Sequence, residues 1–186
     1  MAKTNGMISG LFSGMLGKEV VFRNLGDRTI ACAAPGPRTK KASKAQLKNE
    51  NMFRMGNRFA TAVLQDPDLK AAYARAVKTR QTPHSRAVQD YCNPPVVTDV
   101  AGHHYKGKPG DIIEIRATDD FHVAKVFVEI RDAEGNKLES GYAVVQPFGT
   151  VWHYTVTAPN ELFAGSRITA WAVDIPGNEG SLEVLL

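Results

Sequence analysis

The chain has 186 residues, 43% hydrophobic and 23% charged, the balance of a globular protein rather than a disordered or fibrous one. No run of about 18 apolar residues occurs, which excludes a membrane-spanning helix. The formal net charge of +4 is divided by position: Met1 to Asn93 holds 16 Lys+Arg against 6 Asp+Glu, whereas Pro94 to Leu186 holds 7 against 13.

A basic front joined to an acidic back at Pro94-Pro95 predicts two parts, an arm, hairpin and helical region over 1–93 and a second domain over 94–186. The first 17 residues are punctuated by Gly6, Gly10, Gly14 and Gly17. Each glycine inside a helix costs about 1 kcal/mol relative to alanine, so this stretch reads as an extended arm. Its apolar residues Ile8, Leu11, Phe12, Met15 and Leu16 need a surface to cover. Only Lys3 is basic here, and the charged Lys18-Glu19 follows directly, so the start does not read as a cleaved leader. The expectation is synthesis in the cytoplasm, with non-classical export or assembly into a particle.

Lys18 to Asn24 reads as a strand through Val20, Val21 and Phe22, and Arg28 to Ala33 as its partner, with a turn at Asn24-Leu25-Gly26-Asp27. A lone hairpin is marginal in water and needs a third strand, a helix or another subunit. Pro35 to Lys41 is a stiff basic linker. Ser43 with Gln46 three residues on is a capping box, opening a helix that runs to about Gln65 with a stripe of Leu47, Met52, Met55, Phe59, Ala62 and Val63. Gly56 interrupts that stripe. Asp66-Pro67-Asp68 restarts a helix to about Lys78, and Thr82-Pro83 starts a third that ends at Asn93-Pro94-Pro95. Arg38, Lys40, Lys41, Lys44 and Lys48 form a basic surface, read as a solvated face or as a contact for phosphates.

Beyond Pro95 the hydrophobic period changes to two. Strands are predicted over 96–100, 111–118, 123–131, 137–145, 151–157, 167–174 and 181–186, with Trp152 and Trp171 as core anchors. About seven short strands separated by turns predict an antiparallel β-sandwich, and the whole chain an α+β protein.

Two resemblances follow from these residues. Ala117-Thr118-Asp119-Asp120-Phe121-His122-Val123-Ala124-Lys125-Val126, with Ala172-Val173-Asp174-Ile175-Pro176-Gly177-Asn178, resembles bacterial immunoglobulin-like or fibronectin-III-like modules over residues 95–186. That resemblance implies a spacer, adhesion unit or appendage building block. Gly10, Gly14 and Gly17, then Val20-Val21-Phe22-Arg23, Arg28-Thr29-Ile30, Pro35 and Ser43-x-x-Gln46, resemble an uncharacterised Bacteroidetes-type family with a Gly-rich start over residues 6–75. It implies no activity.

Catalytic signatures are missing. There is no Gly-x-Ser-x-Gly elbow and no phosphate loop, and Cys32 and Cys92 have neither zinc-ligand nor redox spacing; the chain reads as a non-enzyme without a cofactor, its cysteines as free thiols. His103 and His104, adjacent on a strand, would point to opposite faces and cannot both serve one metal. Asp119, Asp120 and Asp174 at strand ends are weak calcium candidates, against ordinary turn chemistry.

The leading expectation is a structural protein that self-assembles head-to-tail into a fibre, tube or particle through its arm and hairpin, the arm or a strand of one copy completing the sheet of the next. The opposed charges would set direction. A surface glycan- or protein-binding module, contacting through Tyr105, Tyr142, Phe148 or His153, is the alternative, and nucleic-acid binding by the basic front is a second one.

Overall fold

A computed structural model describes residues 2–4, 13–25, 28–37, 39–147, 149–161 and 163–186. Ile8, Leu11 and Phe12 of the predicted arm, the Gly26-Asp27 turn, Arg38 and Phe148 lie outside the described residues. The fold is mixed α+β, with three helices and several antiparallel sheets.

The hairpin is present as β3 (Val20–Asn24) and β4 (Thr29–Ala33). Two short strands flank it, β1 (Ala2–Thr4) on β4 and β2 (Gly14–Leu16) on β3, giving the order β1-β4-β3-β2. The extra pairing that the hairpin requires therefore comes from the arm of the same chain. Met15 sits opposite Val21, which is itself opposite Cys32, and Leu16 opposite Val20, which is itself opposite Ala33. Successive side chains alternate across a strand, so each face of the sheet carries an apolar row. Thr29 is the one fully buried side chain of this sheet among the described residues.

Helix α1 (Lys44–Val63) begins at Ser43, whose hydroxyl accepts from the Gln46 amide while the Gln46 side chain accepts from the Ser43 amide. Gly56 does not break it. A Cβ at Gly56 would meet Tyr91 and Val88 of the third helix at 3.3 Å, so glycine lets two helices approach closely. Helix α2 (Pro67–Arg75) is capped by Asp66, and α3 (Pro83–Cys92) by the Thr82–Ser85 box. Ala60, Tyr73, Ala87 and Val88 form the helical core, joined by Phe59, Val63, Leu64, Cys92 and Phe121. The predicted stripe on α1 is buried only in its second half. Leu47, Met52, Met55 and Phe53 remain exposed, and so does Ala62, because α3 reaches only the segment around Gly56 and Ala60. Among the described residues, no helix is long and apolar enough to cross a membrane.

The back half forms two four-stranded sheets. One is ordered β5-β6-β10-β9 and the other β12-β11-β7-β8. The strands are β5 (Val96–Ala101), β6 (Ile112–Thr118), β7 (Val123–Arg131), β8 (Lys137–Tyr142), β9 (Val144–Val145), β10 (Val151–Thr155), β11 (Arg167–Asp174) and β12 (Glu179–Leu185). The predicted strand over 137–145 is divided at Ala143: β8 pairs with β7 in one sheet and β9 with β10 in the other. Inward residues of both sheets make one core, including Ile113, Ile115, Val126, Val128, Ile130, Trp152, Ile168 and Ala170. A bulge in β5 near Thr98 lets Val97 and Val100, three apart, both face inward.

Trp152 is buried as its strand period predicts. Trp171 is not a core anchor. On β11 the inward positions are Ile168, Ala170, Ala172 and Asp174, so Trp171 faces outward and is half-buried. His103 and His104 also depart from expectation. They occupy a single 3-10 turn, Gly102–His104, and their rings lie 4.0 Å apart rather than on opposite faces.

Candidate functional site

The densest polar arrangement lies where the β6–β7 loop meets the helices. Asp119 starts it. Its Oδ2 accepts from the backbone N–H groups of Phe121 and His122, both at 2.8 Å, which turns the chain out of the sheet. Phe121 then stacks on Tyr73 with centroids 4.2 Å apart, and the Arg86 guanidinium lies 5.5 Å from the Phe121 ring.

Asp120 is held by α3 and its cap. Its Oδ2 accepts from Arg86 Nη1 at 3.2 Å, Gln89 Nε2 at 2.8 Å and Asn93 Nδ2 at 2.9 Å. Arg86 Nη2 also donates to the Asp120 carbonyl. Residues 86, 89 and 93 share one helical face, which explains how three donors converge on one oxygen. One turn on from Arg86, Asp90 is completely buried and accepts from the Tyr73 hydroxyl at 2.6 Å. From the other sheet, Asn178 donates to the Tyr91 carbonyl at 3.1 Å, tying the β11–β12 turn to α3.

Burial pushes the Asp90 carboxyl up to about 7, with the nearby Asp119, Asp174 and Asp120 charges adding to it and the Tyr73 hydrogen bond opposing. Burial, then the Asp90 contact, raises the Tyr73 hydroxyl well above the tyrosine range, so it stays a donor. Burial also raises Asp174, against the hydrogen bonds of its own turn.

Carboxylate oxygens from Asp90, Asp119 and Asp120 lie within 4.8 Å of one another, a spacing that suits a hard cation. Of the weak calcium candidates, Asp119 and Asp120 come together. Asp174 serves its turn instead: Oδ1 accepts from the Gly177 and Asn178 amides at 2.8 and 2.6 Å, and Oδ2 from Asn178 Nδ2. Asp90 was not singled out from sequence. Its signal was an Arg86–Asp90 pair, four apart, beside the apolar Ala87 and Val88, where a solvated face would not place charges.

No family model and no curated protein matches the chain.

Of the predicted assembly residues, Met15, Leu16, Val20, Val21 and Phe22 lie on the N-terminal sheet. Met15 and Leu16 are 60% and 65% exposed, and Val20, Val21 and Phe22 are half-buried. Lys40, Lys41, Lys44 and Lys48 are exposed along the linker and the first turns of α1. Tyr105 is not an exposed contact: it is buried, and its hydroxyl accepts from Asn160 Nδ2 at 3.1 Å. Tyr142 is exposed and His153 partly so. Cys32 and Cys92 are both free thiols.

In chelator-treated solution the Asp90 proton makes a testable contribution. The folded pKa lies above the ordinary 3.8, so the folded state holds a proton that the unfolded chain releases between about pH 4 and 7. Stability from this group is therefore present at low pH and lost as pH rises through 7. At about 1.4 kcal/mol per unit, the loss between pH 5 and 8 is on the order of 2–3 kcal/mol. Asp90→Asn, which keeps an acceptor for Tyr73, is expected to flatten this part of the profile in thermal unfolding. Parallel profiles for the two proteins would refute the assignment.

Proposed function

We propose that the chain is a non-enzymatic structural protein that self-assembles through its N-terminal sheet and the uncovered start of α1, with residues 95–186 serving as an immunoglobulin-like sandwich that spaces and stiffens the assembly. One observation carries the reading. The N-terminal sheet has an apolar row on each face, yet among the described residues none of its side chains joins either hydrophobic cluster. Apolar surface left in water at about 25 cal/mol per Å² favours association. The neighbouring α1 segment adds Leu47 and Phe53, exposed by 54% and 60%.

A second copy is the occupant that the charges favour. The front is basic and the back acidic, so front-to-back contact pairs opposite fields, and such heterologous contacts repeat into a fibre or ring. Because β1 and β2 already pair within the chain, the contact uses the faces and edges of this sheet rather than an exchanged strand. The sandwich reading is supported by two sheets sharing one core, with strand orders of the fibronectin-III kind.

Sizing by light scattering and negative-stain microscopy of the full chain tests this. Assemblies are expected, and the double substitution Met15→Glu, Leu16→Glu should leave monomers with unchanged thermal unfolding of the back half. A full chain that stays monomeric at high concentration would end the proposal.

A binding module is a second reading, favoured by a different feature. Tyr142, Phe127 and Trp171 occupy directly opposed positions on three neighbouring strands, with centroid spacings of 5.4 and 5.9 Å. Lys125, Glu129 and Glu179 border this outward row, as expected of a platform for a glycan ring or a protein loop. Binding in a glycan screen that is lost in Trp171→Ala would favour it.

A further inference from the structure

We infer that Asp90, Asp119 and Asp120 form a binding site for a divalent cation, best suited to calcium, that ties helix α3 to the β6–β7 loop. The acidic grouping is only the starting point. The deciding feature is what its oxygens lack. Oδ1 of Asp90, of Asp119 and of Asp120 is each shielded from solvent, and none has a hydrogen-bond partner among the described residues. Asp90 is fully buried on a helix, where an unpaired carboxylate oxygen is costly and rare.

The other three oxygens are all engaged. Tyr73 occupies Oδ2 of Asp90, the Phe121 and His122 amides occupy Oδ2 of Asp119, and Arg86, Gln89 and Asn93 occupy Oδ2 of Asp120. Each carboxylate is thus oriented through one oxygen and leaves the other open, as second-shell donors orient the ligands of a metal. Three carboxylates with one guanidinium sum to −2 when ionised, a charge that one divalent cation neutralises; Asp174 nearby adds a further negative charge.

Oxygen ligands from a loop and a helix select a hard cation. Calcium bonds at about 2.3–2.6 Å, so two ligands across it lie up to about 5 Å apart, compatible with oxygens all within 4.8 Å. Magnesium demands about 2.1 Å and near-octahedral regularity, which a set drawn from two separate elements meets less readily. Water would complete the coordination on the Asp120 side, whose carboxylate is partly exposed. Arg86 holds Oδ2 of Asp120 and the Asp120 backbone carbonyl through its two Nη groups.

The test uses the full chain, stripped with chelator and titrated at pH 7.5 with calcium chloride, and in parallel with magnesium chloride. Calorimetry and thermal unfolding are read together. Saturable one-to-one calcium binding with a rise in melting temperature is expected, at least tenfold weaker for magnesium. Asp90→Asn and Asp119→Asn, each able to keep the acceptor that its neighbours use, should each weaken calcium binding at least tenfold while circular dichroism shows the wild-type fold. No heat and no melting shift up to 10 mM calcium in the wild-type chain would overturn the proposal. So would wild-type affinity in both variants, which would place any bound calcium elsewhere.

Discussion

Arg86→Ala is expected to destabilise the protein by about 3–5 kcal/mol, the cost of removing one partner of a buried ion pair. Arg86 is 1% exposed and pairs with Asp120. Its loss removes two hydrogen bonds to Asp120, the cation–π contact with Phe121, and the positive charge paired with the Asp120 carboxylate. For a chain of this size, each kcal/mol lowers the melting temperature by about 2–4 °C, so a fall of roughly 6–20 °C is expected in calorimetry. Neutralising both partners by Arg86→Met with Asp120→Asn should be less damaging than Arg86→Ala alone, because no charge is then left without its partner. If Arg86→Ala melts within 2 °C of wild type, the network is not what fastens the helices to the loop.

Gly180→Val is expected to cost about 3 kcal/mol or more, because overpacking here meets backbone rather than a mobile side chain. A Cβ at this position would lie 1.9 Å from the Pro95 carbonyl oxygen and 2.9 Å from its carbon. Strand β12 belongs to one sheet and Pro95 leads into β5 of the other, so glycine permits these two segments to approach closely. Any side chain would have to push them apart, next to the turn where Asn178 holds the Tyr91 carbonyl. A melting temperature lower by roughly 6–12 °C is expected. Gly135→Val, at a turn with open space around its missing Cβ, should cost less despite its positive φ. Equal losses for the two variants would show that backbone freedom, not the close approach, is what Gly180 supplies.

Local signals were legible wherever one element decides its own fate. The Ser43 and Thr82 caps, the Asp66-Pro67 start and the period-two runs of the back half each became the element they announced. Those signals work because caps and alternation act over a few residues. Trp171 shows the limit. Its size suggested a core position, but only the count along β11 decides which face it takes. Ala143 shows another: whether an apolar run stays in one sheet or crosses to the next depends on partners far along the chain. The stripe on α1 failed at Leu47 and Met52 for a related reason, since amphipathicity says which face wants cover and not whether a neighbour extends that far.

The acidic group divides in the same way. Asp119 and Asp120 could be picked out from sequence as carboxylates at the end of a strand. Asp90 lies some thirty residues earlier on a helix, and no spacing rule joins it to them. What the amino-acid sequence determined by itself was therefore the three helices, the hairpin and most strands of the back half, the α+β class and the reversal of charge between the halves, because propensity, capping and composition are local or additive. The tertiary structure alone decided that Phe121 would enter the helical core, that three distant carboxylates would come together, and that, among the described residues, the side chains of the N-terminal sheet would join neither core. Each of these depends on long-range packing, in which the burial of one surface determines which others stay uncovered.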